Sequence, residues 1–163
     1  MTVYVCSLIV NEPQSIPADG GYHIIRFPVD PTVESYDAHG MHEALQPDGY
    51  QITNWATDDR SGLIWPSSEG WGVLTANIHW KPGAYTELRD RFVRDPLGLS
   101  TGYDSTATDH RAPSPGMQCF TKQHQMFVHP GTPIALLVGH SDSVSREIVH
   151  AQFKLAIHTT GGS

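Results

Sequence analysis

Apolar and polar residues alternate along several segments of the chain, which is the pattern of β-strands with one buried face. The pattern is clearest in two segments. The side chains expected to point inward are Val149, Ala151, Phe153, Leu155 and Ile157 in one segment and Leu74, Ala76, Ile78 and Trp80 in the other. A high content of β-branched and aromatic residues predicts four further strands, at Thr2–Val10, Tyr22–Val29, Gln118–Val128 and Ile134–Val138. We expect Leu136 and Val138 to share the same core.

Glycine and proline interrupt the chain at short intervals, with 15 and 12 copies in 163 residues. Few of the intervals can hold a helix of ordinary length, whereas strands of about 5 to 8 residues fit between the interruptions. Many short strands separated by turns are typical of a β-sandwich or barrel. The sequence therefore predicts an all-β fold in a single domain, residues 1–163.

One segment fits two kinds of structure. Tyr85, Leu88 and Phe92 have the spacing of one helix face, but the same residues also fit an irregular strand. Two stretches rich in turn-forming residues, 29–48 and 95–115, are predicted to be exposed loops.

Charged residues make up 17% of the chain, against about 25% in a typical soluble domain. The net charge of −7 provides no basic field for phosphates, so nucleic acid is not an expected partner. The longest stretch without Lys, Arg, Asp or Glu is interrupted by Pro130, Gly131 and Pro133, so membrane insertion is not expected. The N-terminus lacks the positive region and cleavage site of a secretion signal.

The two cysteines, Cys6 and Cys119, lie far apart in the sequence and have no CxxC spacing. A disulfide scaffold needs more cysteines than this. We expect two buried thiols that behave as small apolar groups.

Asp37, His39, His42 and Glu43 place four potential metal ligands within one short segment. A zincin site requires HExxH on a helix, and Gly40 discourages a helix here. His39 and His42 are therefore weak metal candidates, and a polar turn is the favoured interpretation. The sequence contains no GxSxG, SxxK, P-loop or GxGxxG motif. We expect no catalytic residue, no cofactor and no enzymatic activity.

Aromatic residues outside the predicted core are candidates for contacts with a partner. Trp55 and Trp65 flank the polar turn at 58–62 and would form a carbohydrate platform if both were exposed in one groove. Tyr50, Tyr85 and Phe127 are candidates for an interface between copies of the chain.

Several strings of the sequence resemble the C1q/TNF-like jelly roll, and most of all its bacteriophage and bacterial versions. The most specific string is Tyr36-Asp37-Ala38-His39-Gly40-Met41-His42. The other matching strings are Gln14–Pro17, His23–Phe27, Ile64–Pro66, Gly70–Val73, Ala76–Trp80, Met126–Val138 and Val149–Ile157. The resemblance covers nearly the whole chain and implies a single jelly-roll β-sandwich. The chain departs from the family pattern at Thr132-Pro133, where an acidic turn is usual, and in a long exposed insert at 97–116.

The resemblance implies a non-enzymatic homotrimer on the surface of a bacteriophage particle. A capsid decoration protein or surface knob is favoured, because the chain has no repeat or stalk typical of a fibre. The alternative is a tail receptor-binding or carbohydrate-binding module that contacts a host cell-surface glycan. The expected partners are further copies of the chain and other virion proteins, such as the major capsid or tail protein. The expected location is the virion surface, after assembly in the host cytoplasm.

Two segments are expected to attach such a knob to its neighbours. The segment 1–10 forms a terminal strand that can offer unpaired backbone groups to another chain. The insert 97–116 is long and polar, and an isolated domain has little reason to order it. The alternative for the first segment, that it pairs only within its own sandwich, carries equal weight.

Overall fold

Two antiparallel β-sheets face each other in the computed structural model, which describes residues 1–99 and 106–160. The strands are β1 (Thr2–Val10), β2 (Gln14–Ile16), β3 (His23–Ile24), β4 (Leu63–Ile64), β5 (Gly70–Trp80), β6 (Leu88–Arg94), β7 (Thr106–Arg111), β8 (Gln118–Val128), β9 (Ile134–His140) and β10 (Arg146–Thr159). The described residues contain one 3-10 helix, Asp59–Gly62, and no α-helix. In these same ranges no helix has the length and apolar character needed to cross a bilayer. The predicted all-β fold is confirmed.

The order of the strands makes the fold a jelly-roll sandwich. The front sheet has the order β1-β10-β5-β8, and β2 also pairs with β10. The back sheet has the order β3-β9-β6-β7, and β4 also pairs with β9. Most strands therefore pair with partners that are distant in the sequence, which is the topology expected of antiparallel jelly rolls.

The core between the sheets confirms the side chains that alternation assigns to it. All of the following are buried: Leu74, Ile78, Trp80, Leu136, Val138, Phe153 and Leu155. They come from β5 and β10 of the front sheet and from β9 of the back sheet, so one hydrophobic cluster joins the two sheets.

A β-bulge displaces one predicted core residue. Ile148 pairs with Trp80 whereas His150 pairs with His79, so Val149 is the extra residue in β10. Ile148 is buried and Val149 is only half-buried. The prediction that Val149 belongs to the core is wrong, because the bulge shifts the alternation by one residue on its N-terminal side.

The segment predicted as a strand at Tyr22–Val29 enters the sheet only over His23–Ile24. At Arg26 the backbone amide donates to the side-chain oxygen Oε1 of Gln14 at 2.9 Å. That amide points away from β9, because the neighbouring Ile25 amide donates to Leu136 O of β9. The ladder between β3 and β9 ends early because β4 pairs with Ala135 and Ile134 on the same edge of β9.

The segment that fits both a helix and a strand is a strand. β6 begins at Leu88 and pairs with β7 on one side and β9 on the other. Tyr85 lies before it, packed against Trp80 and His140 with ring centroids 6.0 and 5.9 Å away, and its hydroxyl donates to Lys81 O at 2.7 Å. Tyr85 is buried, so this candidate interface residue is not available to a partner.

The insert predicted at 97–116 is in part regular structure. Its residues Thr106–Arg111 form β7, which pairs with β6 at the edge of the back sheet. Residues 100–105 of the insert lie outside the described residues. The exposure predicted for the insert holds for most of β7.

Candidate interaction surface

The outer face of the front sheet, which points away from the core, has almost no charged residues. It is formed by every second residue of Val3–Ile9, Trp71–His79, Cys119–Phe127 and His150–His158, nineteen side chains in all, each exposed or half-buried. We call it the neutral face. Among these nineteen, only Lys154 carries a charge when histidine is neutral.

This composition differs from that of an ordinary protein surface. About 25–35% of a soluble surface is charged, and loss of charge with retention of aromatic residues is the compositional mark of an interface centre. The neutral face has one charge in nineteen positions, and it includes Val3, Val5, Val73 and Phe127. Its composition is therefore that typical of the centre of a protein interface.

An aromatic pair marks one end of the neutral face. Trp71 of β5 lies directly opposite Phe127 of β8, and the two side chains are 46% and 43% exposed. The Trp71 indole donates to Gln125 Oε1 of β8 at 2.7 Å, which ties the ring to the neighbouring strand. A cleft of about 330 Å³ lies beside the pair, lined also by His158 and Thr159.

A histidine pair marks the other end. His79 of β5 lies directly opposite His150 of β10, with ring centroids 4.9 Å apart. His150 Nδ1 is 2.6 Å from Asn11 Oδ1, and the Gln152 amide nitrogen is 3.1 Å from His150 Nε2. Burial, and after it the charge of His79, lower the pKa of His150, which favours the neutral form of its ring.

The outer face of the back sheet is covered by the chain itself. Ala135 and Leu137 of β9 pack with Trp65 and Leu97 in a second hydrophobic cluster. Beside them the Arg91 guanidinium carbon lies 3.3 Å from the centroid of the Tyr22 ring. The two sheets therefore differ: the back sheet has its own cover, and the neutral face of the front sheet has none among the described residues.

The other predicted interaction residues are not brought together on this face. Trp65 is only 3% exposed, and Trp55 is half-buried with its ring centroid 5.0 Å from that of His42. The two tryptophans therefore do not form the shared exposed platform proposed from the sequence. The Tyr50 side chain is exposed, and its hydroxyl already donates a hydrogen bond within the chain, to Asp58 Oδ2 at 2.6 Å.

The histidine-rich segment 37–43 is a structural turn. The Asp37 carboxylate accepts hydrogen bonds from the backbone amides of Met41 and His42, at 2.7 and 2.8 Å. The His42 ring bonds Ser61 O at 2.7 Å, and its burial lowers its pKa. His39 instead packs edge-on against Tyr4. Within residues 1–99 and 106–160, no three His, Cys, Asp or Glu side chains meet in a way that could hold a metal ion.

The two cysteines have different environments. Cys6 is buried, and desolvation together with the nearby Asp37 carboxylate strongly raises the pKa of its thiol. Cys119 is exposed on the neutral face. The expectation of two buried thiols is therefore wrong for Cys119, which occupies an outward position of β8.

Trp71 is an interaction candidate that the sequence interpretation missed. The alternation in β5 places Leu74 and Ile78 inward, and the same parity places Trp71 outward. Continuing the alternation from Val73 by two residues towards the N-terminus would have identified Trp71, because tryptophan is enriched at interfaces.

No family model matches the chain, and no curated protein does. Solved structures of similar fold do. The globular domain of zebrafish complement 1qA matches with a TM-score of 0.62 at 9% identity, over 97% of this chain and 99% of that chain. Murine APRIL matches with a TM-score of 0.57 at 10% identity, over 96% and 100%. The TNF protein Eiger from S. frugiperda matches with a TM-score of 0.53 at 8% identity, over 99% and 96%.

These likenesses extend over almost the whole length of each protein. They show that the chain has a C1q/TNF-like jelly-roll fold, as the sequence strings predict. Because the identities are near 10%, they show the fold alone, and function has to be argued from the surface of this chain.

Proposed function

We propose that this chain is a non-enzymatic, homotrimeric surface protein of a bacteriophage particle, a capsid decoration protein or knob, whose copies associate through the neutral face. The observation that carries self-association is the single charge among the nineteen side chains of that face. The C1q/TNF-like fold supports a trimer. The string from Tyr36 to His42 supports the phage setting, through its resemblance to the phage versions of this fold.

Association through the neutral face stabilises the assembly mainly by burying apolar area. Val3, Val73, Trp71 and Phe127 lose contact with water, at about 25 cal/mol for each Å² of apolar surface. The neutral polar members, such as Asn77, cost less to desolvate than charged side chains do. A closed symmetric assembly of this kind leaves the charged loops outside, in contact with solvent.

Attachment to the particle is proposed through the free part of β1 and through the insert 97–116. The Ser7 backbone already pairs with Tyr36, and the Ile9 amide donates to the Ser35 hydroxyl. Towards the start of the strand, no described residue bonds the outer-edge amides of Val3 and Val5. β1 is thus part of its own sandwich through β10, and only its first half offers an edge to another chain.

The alternative is a tail receptor-binding or carbohydrate-binding module. It rested mainly on an exposed platform of Trp55 and Trp65, and Trp65 is buried. The exposed aromatic pair Trp71 and Phe127 remains as a possible stacking surface for a sugar. This pair belongs to the neutral face, so a glycan there competes with assembly. We therefore favour the trimer as the state that covers it.

We predict that the purified chain has the mass of three chains by light scattering at neutral pH in the micromolar range. Val73→Glu places an unpaired carboxylate in the middle of the neutral face, between Gln125 and Ala156. Because assembly would bury that charge, we expect this variant to have the mass of one chain. Val29→Glu is the matched control, since Val29 is exposed in a loop outside the face, and it is expected to remain trimeric.

A wild-type mass of one chain in that range refutes the trimer. If Val73→Glu remains trimeric, the neutral face is not the interface. Circular dichroism of each variant establishes that its strands are intact.

The location is tested separately with gold-labelled antibodies against the chain on intact phage particles. Label on the head supports a decoration protein, and label on the tail supports the receptor-binding alternative. Particles without label, from lysates that contain the chain, overturn the virion assignment.

A further inference from the structure

We propose that the His79–His150 pair makes assembly through the neutral face pH-dependent: the assembly holds while both imidazoles are neutral and separates when they gain protons. This inference rests on the proposed association through the neutral face. It concerns the regulation of that interface, and its test distinguishes a failure of the switch from a failure of the assembly.

The hydrogen bonds around His150 select its neutral form. Asn11 Oδ1 can only accept, so His150 Nδ1 carries the proton of that 2.6 Å contact. The Gln152 amide nitrogen can only donate, so His150 Nε2 presents its lone pair at 3.1 Å. A second proton, on Nε2, would point at the Gln152 amide donor until that amide turned over.

The position of His79 adds a second cost. The two rings are 4.9 Å apart at directly opposed positions, so two charged imidazoles would repel each other. Burial and the charge of His79 both lower the pKa of His150, and no carboxylate of the described residues acts against them.

The surrounding groups offer little compensation to a positive charge. On the neutral face itself β1 supplies no titratable side chain, β8 supplies Cys119, and β10 adds Lys154 and His158, which are a further cation and a further imidazole. Beyond the histidine end, Glu147 is already paired with Lys81 at 2.9 Å. Glu12, next to Asn11, is exposed to solvent.

Assembly increases the cost of charging these rings. A partner packed on the face removes water from half-buried imidazoles, which disfavours their protonated forms further. The separated chains therefore bind more protons than the assembled ones. By linkage, lowering the pH through the range in which histidine titrates favours the separated chains.

The test measures mass by light scattering over a dilution series at about pH 7.5 and about pH 5.5. Each unit of pKa difference between assembled and separated chains changes the proton-linked equilibrium by about tenfold per histidine. We expect the protein concentration at which the assembly half-dissociates to rise at least about tenfold at the lower pH. In the double variant His79→Gln/His150→Gln we expect a clearly smaller rise, because His158 is then the one imidazole left among the nineteen side chains of the face.

His110→Gln is the matched control, since His110 lies on β7 of the back sheet beside Glu87, and it should retain the wild-type pH response. A wild-type assembly whose half-dissociation concentration is the same at both pH values overturns the inference and leaves the proposed trimer intact. So does a double variant that responds to pH as the wild type does. If the double variant does not assemble at pH 7.5, the single variant His79→Gln decides, because it keeps the hydrogen bonds of His150 and should dissociate at a lower pH than the wild type.

Discussion

Replacing Phe153 by alanine is expected to lower the free energy of unfolding by about 3–5 kcal/mol, the usual range for a fully buried aromatic side chain. Phe153 projects from β10 of the front sheet into the core and is completely buried. Its ring centroid is 5.9 Å from that of Phe92 on β6 of the back sheet and 6.0 Å from that of Phe27. Truncation therefore removes these contacts between the sheets and leaves a cavity in the core that they share.

Neighbouring strands cannot close that cavity. Ala76 of β5 and Leu8 of β1 are the residues paired with Phe153, and both are held in register by long ladders. The measurement is guanidinium unfolding of both proteins at one protein concentration, because self-association makes apparent stability depend on concentration. Phe153→Leu, which keeps most of the volume, should cost clearly less. A loss below about 1 kcal/mol for the alanine variant would contradict the assignment of Phe153 to the core.

Replacing Asp90 by alanine is expected to cost about 3–5 kcal/mol, as is usual when one partner of a buried ion pair is removed. Asp90 faces inward from β6 and is buried. Its carboxylate accepts from Arg111 Nε at 2.6 Å and Nη2 at 3.2 Å, and Lys122 Nζ lies 3.3 Å from Oδ1. Lys122, itself buried, also contacts Asp109.

The network joins the two sheets where β7 and β8 form their edges. Asp90 and Asp109 are directly opposed on β6 and β7, an arrangement that is unfavourable unless cations lie between them. Without Asp90, the buried Lys122 ammonium and the Arg111 guanidinium share the half-exposed Asp109 alone. The variant thus loses stability because charge is left buried with too little compensation.

Asp59→Ala is the control for this prediction. Asp59 also pairs with an arginine, at 2.9 Å from Arg26 Nε, but the pair is exposed to solvent. We expect its removal to change the free energy of unfolding by no more than about 1 kcal/mol. Asp90→Asn, which keeps the shape and removes the charge, should fall between the two. If Asp90→Ala costs no more than Asp59→Ala in guanidinium unfolding, the network does not stabilise the sandwich.

The strings that resemble the C1q/TNF-like jelly roll anticipated the fold. Within the string from Tyr36 to His42, the Asp37 carboxylate holds the turn through the backbone amides of Met41 and His42. The aromatic residues predicted to contact a partner differ in their exposure. Phe127 lies on the neutral face, whereas Trp65 and Tyr85 are buried by segments that the sequence does not place beside them.

The sequence by itself determined which residues form strands and which face of most strands is buried, because side chains alternate with a fixed period of two and the local pattern records it. Only the tertiary structure decided what depends on partners distant in the chain. The bulge at Val149 exists because β10 has to pair with β5, and β3 is short because β4 pairs with the next residues on the same edge of β9. The neutral face exists because β1, β5, β8 and β10 become neighbours, and its lack of charge appears only when four separate segments are placed side by side.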